Sequence, residues 1–249
     1  MRGLARRLLW AGLTVAVVAA LLALSGALGH RYGLWEHSVG FTLLRWSFYA
    51  AVAALALSGA GLMGAAHQRS VGLMLAAGPG VILALAVATV PLLHVRTMST
   101  YPPIHDITTD TDNPPEFVAL RDIREDAPNA VAYPGKSTAR QQKQAYPDIR
   151  PLTLDVAPER AFRLALEQAE AMDWRVAEAD ADARRIEAVA ETFWFGFRDD
   201  VAIRVNPTNA EGARIDVRSA SRIGVSDLGT NAARIRAYLD GLRDRLSGE

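Results

Sequence analysis

The sequence contains no cysteine. That excludes disulfides, thiolate catalysis and cysteine-ligated metal, and it suits an oxidising compartment without requiring one. Lysine is almost as scarce: Lys136 and Lys143 stand against 25 arginines, a bias read here as genomic base composition. Of five histidines only His105 lies beyond residue 96, so Ser219 and Ser221 have no ordinary Ser–His–acid triad to join. Acid is nearly missing from the first 96 residues, where Glu36 alone faces seven arginines for a net +6. Residues 97–249 reverse the balance, with 20 basic against 26 acidic side chains, a net −6. The formal neutrality of the chain is therefore a cancellation. A net-acidic soluble half does not offer the concentrated basic surface that nucleic acid requires, so that class of partner is excluded.

What the first 96 residues do have is length of apolar sequence. Three runs, about 8–29, 43–66 and 71–93, are each long enough to cross a hydrocarbon core about 30 Å thick as a helix. No acid falls inside them, and Arg45 at the edge of the second is the one base. The first run follows Arg2, Arg6 and Arg7 as a signal peptide would. It exceeds a signal core of about 7–15 residues, so it is read as an uncleaved helix. Arg2, Arg6, Arg7 and Arg69 fall on one side of the spans, and Arg31, Arg45 and Arg96 fall on the other with Glu36. The N-terminal cluster and the short turn around Arg69 favour the cytoplasm for the first set, which places residues 97–249 outside. Trp10, Trp35, Trp46, Tyr32 and Tyr49 sit near the expected ends, as interfacial aromatics do. Ser58, Gly61 and Gly64, then Gly72, Gly78 and Gly80, permit close helix contact. That contact is expected within a three-helix bundle, with a homo-oligomer through the same faces as the alternative. No ionisable group lies at mid-membrane, so the spans read as an anchor rather than a transport path.

Residues 97–149 carry seven prolines and no helical or strand period, and are expected to form an extended connector. If it drapes over the folded part, Tyr101, Ile104, Phe117 and Tyr146 are the side chains to hold it. Regular patterning begins at Arg150. Leu152, Leu154 and Val156 alternate as a strand. Pro158 opens a helix whose stripe is Phe162, Ala165, Leu166, Ala169 and Met172. Residues 174–179 and 185–195 read as strands, and Val201, Ile203 and Val205 alternate in a third. After a turn at Asn209–Gly212, Ile215, Val217, Ser219, Ser221 and Ile223 take one face of a strand. Arg214, Asp216, Arg218 and Arg222 take the other. A last helix, capped by Ser226 or Asp227, buries Ile235, Leu239, Leu242 and Leu246. Residues 150–249 thus form an α+β domain of order β-α-β-β-β-β-α, an antiparallel sheet with helices on one face, behind a three-helix transmembrane bundle.

Three stretches together point to a family: YPPIHDITTDTDNPPEF (Tyr101–Phe117), AYPDIRPL (Ala145–Leu152), and Glu191–Leu239. Within the last, Ile215–Ile235 follows the phrase VDVRSxSRxGxSDxGxNxxRI, with Ile215 in place of its first Val. Over residues 101–246 the chain resembles the DUF1499 family, a domain of unknown function found in bacterial membrane-associated proteins. The resemblance implies a bacterial inner-membrane protein with a periplasmic domain. It supplies no catalytic residues.

The strongest candidate site lies in that phrase. Arg218 and Arg222 share a strand face, and the helix N-terminus after them offers free N–H groups to an anion. Arg218, Arg222, Ser226, Asp227 and Asn231 are therefore candidate ligands for a lipid headgroup, phosphate or other small anion. The competing reading is a solvated ladder of Arg218 and Arg222 with Glu187, Glu191 and Asp216. Asp106, Asp110 and Asp112 supply enough oxygens for a weak cation candidate, but lack the spacing, glycine and terminal glutamate of a calcium loop. Asp199 and Asp200, with Asp227, are the carboxylates a hydrolase would use, although neighbours on a strand point to opposite faces. Phe193, Trp194, Phe195 and Phe197 are core or turn aromatics, with a dip into the bilayer surface or the lining of an apolar ligand cavity as the functional alternatives. No cofactor is implied. The expected reading is a membrane-anchored envelope protein of the binding class, partnered by the bilayer and by an envelope protein or anionic ligand. The alternative is a membrane-tethered hydrolase working through acids.

Overall fold

The computed structural model describes residues 2–208 and 212–247, so of the turn expected at Asn209–Gly212 only Gly212 is covered. The chain divides into two compact units. The first comprises residues 1–97 with the short segment Phe193–Gly196, and the second comprises residues 98–192 with 197–249.

In the first unit, α1 (Arg2–Arg31), α2 (His37–His67) and α3 (Val71–Thr100) are helices. All three are long and apolar enough to cross a membrane. With no water to take backbone hydrogen bonds, a helix is the conformation that satisfies such a segment internally. The hydroxyls do the same: Thr42, Thr89 and Thr97 each donate to the carbonyl four residues back. Small residues set the spacing. Ala16, Ala54 and Ala84 form one buried layer, and Ala19, Ala51 and Ala88 the next, one residue from each helix. A Cβ on Gly26 would lie 2.7 Å from the Gly40 carbonyl oxygen, so the backbones of α1 and α2 touch there. Ser58, Gly61, Gly64 and Gly80 all pack within the bundle, whereas Gly72 and Gly78 have open space where a Cβ would stand. Helix α3 runs on past the expected end at residue 93, with Pro79 and Pro91 inside it.

The second unit is a six-stranded antiparallel sheet. Its elements are β1 (Asp106–Thr108), α4 (Arg121–Glu125), α5 (Lys136–Ala145), β2 (Leu152–Leu154), α6 (Pro158–Ala171), β3 (Arg175–Asp180), β4 (Arg185–Glu191), β5 (Arg198–Pro207), β6 (Ala213–Ser221) and α7 (Thr230–Ser247). The strand order is β1-β6-β5-β4-β3, and β2 pairs with the Ala213–Ile215 end of β6 while β1 pairs with its Arg218–Ala220 end. From Arg150 onward the order and the antiparallel sheet are those expected. Helices α6 and α7 bury their stripes on one face. Phe162, Ala165 and Ala169 meet Ile235, Tyr238 and Leu242 over Ile186, Val201, Ile203, Ile215 and Val217. Trp174 stacks on Tyr238 at 5.1 Å between ring centroids, and the Tyr238 hydroxyl donates to the Ala165 carbonyl at 2.8 Å.

Residues 97–149, expected to be extended throughout, hold the end of α3 together with β1, α4 and α5. Ile104, Phe117 and Tyr146 are buried there, while Tyr101 stays 38% exposed. Phe117 and Leu120 cover Val189, Ala202 and Ala220 on the sheet face opposite the helices. Helix α5 closes the free edge of β1 with one side chain. Gln142 Nε2 donates to the Thr108 carbonyl at 2.6 Å, and the Thr108 N–H donates back to Gln142 Oε1 at 3.0 Å. The amide thus replaces a strand partner on an edge that would otherwise be open.

Candidate functional site

Strand alternation puts Arg218 of β6, Asp200 and Arg204 of β5, and Glu187 of β4 on the sheet face away from α6 and α7, and Arg222, one residue past β6, reaches Asp200 on the same face. Alternation alone would leave that face to water. It is instead covered by residues 115–131, and its charges are buried. Arg218 is 2% exposed and donates to Asp106 through Nε (3.0 Å) and Nη2 (2.7 Å), then to the carbonyls of Pro115 and Val131. Asp200, fully buried, accepts from Arg124 at 2.8 Å and from the Arg222 fork at 2.7–3.1 Å. The ring of Phe117 lies between two guanidiniums, those of Arg124 and Arg218, each 4.6 Å from its centroid. The ring faces offer negative charge to both cations.

The expected ladder therefore does not form. Glu187 is turned to the connector and accepts the N–H groups of Val118, Ala119 and Leu120 at 2.8–3.0 Å, and it pairs in charge with Arg185, whose Nε lies 3.1 Å away without the geometry of a hydrogen bond. Glu191 lies 3.9 Å from Arg198. Asp216 is shared by Arg204 and Arg214. Three carboxylates from three strands, Asp106, Asp200 and Glu187, each tie the connector to the sheet. Their partners lie 112, 76 and about 70 residues away in sequence, which is why no local period announces them. Arginine suits this use because its planar fork meets a carboxylate with two bonds at once.

On the helix face, Ser219 and Ser221 project toward α7. Ser219 Oγ donates to Asn231 Oδ1 at 2.7 Å, Asn231 Nδ2 donates to Ser221 Oγ and to the His105 carbonyl, and Arg234 joins Ser219 to Asp199. Asp227 precedes α7 and accepts from Gly229 N at 3.0 Å and Asn231 N at 2.8 Å, one on each oxygen. Burial holds its carboxyl above the usual range, with those two N–H groups pulling the other way. Ser226 Oγ donates to the Pro102 carbonyl at 3.1 Å. Gly229, at φ +83°, lies where a Cβ would stand 2.6 Å from the Tyr101 ring. The S-D-x-G-x-N phrase is thereby explained residue by residue as a turn that caps α7 and clasps the chain arriving at β1.

The structure brings Ser226, Asp227 and Asn231 together at the start of α7. It sets Arg218 and Arg222 on the opposite sheet face with their guanidiniums committed to Asp106 and Asp200. Asp199 and Asp200 point to opposite faces, as strand geometry requires. Of the cation candidates, Asp106 is held by Arg218. Asp110 spends Oδ1 on the N–H groups of Asp112 and Asn113 and Oδ2 on Arg214 at 2.6 Å. Among the described residues no group of three or more His, Asp or Glu is placed to hold a metal ion. Beside Asp110 opens a cleft of about 720 Å³, whose rim includes Asp112, Gln142, Lys143, Arg150 and Arg214. Lys143 is exposed there, 3.6 Å from Asp112. No local pattern announces this cleft, since its wall joins residues 109–113, the end of α5 with residues 146–151, and Arg214.

No curated protein matches the sequence at a significant level. Residues 106–242, more than half of the chain, match the family model described as a protein of unknown function, DUF1499. That range includes the connector from β1 onward, the buried arginine layer and the turn before α7, and the chain belongs to the DUF1499 family.

Proposed function

We propose that this is a bacterial inner-membrane protein that displays a non-enzymatic interaction domain on the periplasmic side, where it engages a lipid, a small anion or an envelope protein. One observation carries the non-catalytic part: the fate of the carboxylates a hydrolase would use. Asp199 and Asp200 are buried against arginines, and Asp227 accepts a backbone N–H on each oxygen. General acid–base catalysis needs a carboxyl within reach of substrate and free to exchange its proton. A carboxylate locked onto a guanidinium answers neither need. The accessible chemistry lies along the cleft, where Lys143 and Arg150 stand exposed. Two exposed cations on a concave rim, Lys143 beside Asp112 and Arg150 holding the Pro147 carbonyl through Nε alone, suit a small anion or an acidic stretch of a partner protein.

The test is recovery of the full-length protein from native membranes in lipid-preserving particles, with lipids and proteins identified by mass spectrometry. A lipid, anion or protein retained by the wild type and lost with Lys143→Glu plus Arg150→Glu supports the reading. A bound species that both retain moves the site away from the cleft. A compound chemically converted by the wild type and left intact by Asp199→Asn would replace the binding reading with hydrolysis.

A further inference from the structure

The strand registers bring three segments to one end of the sheet. Glu191 at the end of β4 pairs with Arg198 at the start of β5, Asp199 pairs with Ser221 at the end of β6, and Asp106 at the start of β1 pairs with Ala220. The β4–β5 turn, the β6–α7 loop and the chain arriving from α3 therefore all emerge together. That incoming chain is fixed at this end, because Asp227 N–H donates to the Ile104 carbonyl at 3.1 Å and Ser226 holds Pro102. Residues 101–105, which reach at most roughly 18 Å when extended, are all that separate the last helical residue from β1.

The same end carries large exposed apolar side chains. Phe193 is 75% exposed, Trp194 57% and Val225 75%. Phe193 and Trp194 lie edge to face at 5.2 Å between centroids, so the pair presents one continuous aromatic tip. Arg198, 58% exposed, stands at the base of the same turn. Exposed aromatics beside a cation are the composition of an interfacial anchor, with apolar rings at the level of the acyl chains and a positive charge among the phosphates. They lie in the β4–β5 turn, one of the two places expected for them, and a core role does not account for Phe193 and Trp194, since burial is what it would provide.

We propose that the Phe193–Trp194 tip and Val225 form a second, peripheral membrane contact, entering the lipid interface beside the spans and fixing which end of the domain faces the bilayer. The occupant is the membrane itself: the chain's own three apolar helices bring a bilayer to it, and a short tether keeps this end near that bilayer. The inference rests on the anchoring half of the reading above and is independent of the cleft.

The absence of cysteine makes the test direct. Single cysteines at Trp194→Cys, Val225→Cys, Ile82→Cys and Asp182→Cys each receive a nitroxide in the full-length protein, reconstituted in nanodiscs of phosphatidylethanolamine and phosphatidylglycerol. Collision with oxygen, which concentrates in lipid, is compared with collision with a water-soluble nickel chelate. Ile82, in α3, reports whether the spans sit in lipid, and Asp182, in the β3–β4 turn at the other end of the sheet, reports water. Labels at 194 and 225 are expected to favour oxygen over nickel, as at 82 and in contrast to 182. If 82 favours oxygen while 194 and 225 behave like 182, the lipid contact is wrong and the anchoring stands. If 82 also behaves like 182, anchoring fails and the inference falls with it. Labels at 194 and 225 shielded from both reagents would assign the tip to protein, overturning the proposal.

Discussion

Arg218 shows what burial does to a charge that alternation alone would leave at the surface. A solvated ladder pair contributes about 0–1 kcal/mol. With Arg218 and Asp106 both nearly inaccessible, removing one partner strands the other, at a cost of roughly 3–5 kcal/mol. Arg218→Met should therefore lower the unfolding free energy of the soluble part, residues 97–249, by about that much in a urea melt. Adding Asp106→Leu should recover a large share of the loss, because the uncompensated carboxylate goes with it. A single-variant loss below about 1 kcal/mol would show that water reaches the pair after all. Asp148 marks the other limit. Its hydrogen bond from Arg236 holds its carboxyl below the usual range, so the stability it contributes is present above the unfolded-state value and lost as pH falls through the folded one. Both groups are about half exposed, which limits the effect to roughly 1 kcal/mol or less. Asp148→Asn should thus differ from wild type by a few tenths of a kcal/mol to about 1 kcal/mol at neutral pH, and the two melts should converge in strong acid.

Elements were legible in proportion to how local their signals are. The spans need only apolar length, and the strands and helices after Arg150 need only alternation or a 3.6-residue period, so both could be read in order. Between Thr97 and Ile149 the decisive contacts are long-range: Phe117 lies between Arg124 and Arg218, and Glu187 receives the N–H groups of residues 118–120. Nothing periodic in the segment reveals them, and its prolines suggest extension where α4 and α5 form. The candidate residues divide along the same line. The capping turn at Ser226–Asn231 is written in adjacent residues, but the partners of Arg218 and Arg222 are not. A chain beginning at Arg150 should therefore lose more than apolar cover. It would expose the Glu187, Asp200 and Arg218 faces without their partners, and it should show no cooperative urea transition where a chain beginning at Thr97 shows one. Comparable midpoints would reduce the connector to a tether. In the helical unit, Gly26→Leu drives a side chain into the Gly40 carbonyl, whereas Gly72→Leu enters open space. The first should lower the thermal midpoint of the protein in detergent and the second leave it nearly unchanged.

For the whole molecule the main question is which way it faces, and here the two halves make a joint demand. An odd number of spans places the two ends of the chain on opposite sides of a membrane. The choice between the two orientations rests on charge in short flanks. Arg2, Arg6 and Arg7 crowd the first eight residues and Arg69 occupies the three-residue connection between α2 and α3, where the other side has Arg31, Arg45 and Arg96 accompanied by Glu36. Basic residues near span ends resist translocation while acids contribute little, so the dense N-terminal cluster should dominate and the net-acidic domain should be exported. A cysteine-free fold held by arginine–carboxylate pairs suits that side, since no thiol in it can be oxidised or mispaired. Alkaline phosphatase, active only after export, should then be active when fused after Glu249 and inactive when fused at Gln68, with a cytoplasmic reporter giving the inverse pair. Activity at Gln68 and none after Glu249 would invert the protein, place the DUF1499 domain in the cytoplasm, and require any lipid contact of Phe193 and Trp194 to be made with the inner leaflet.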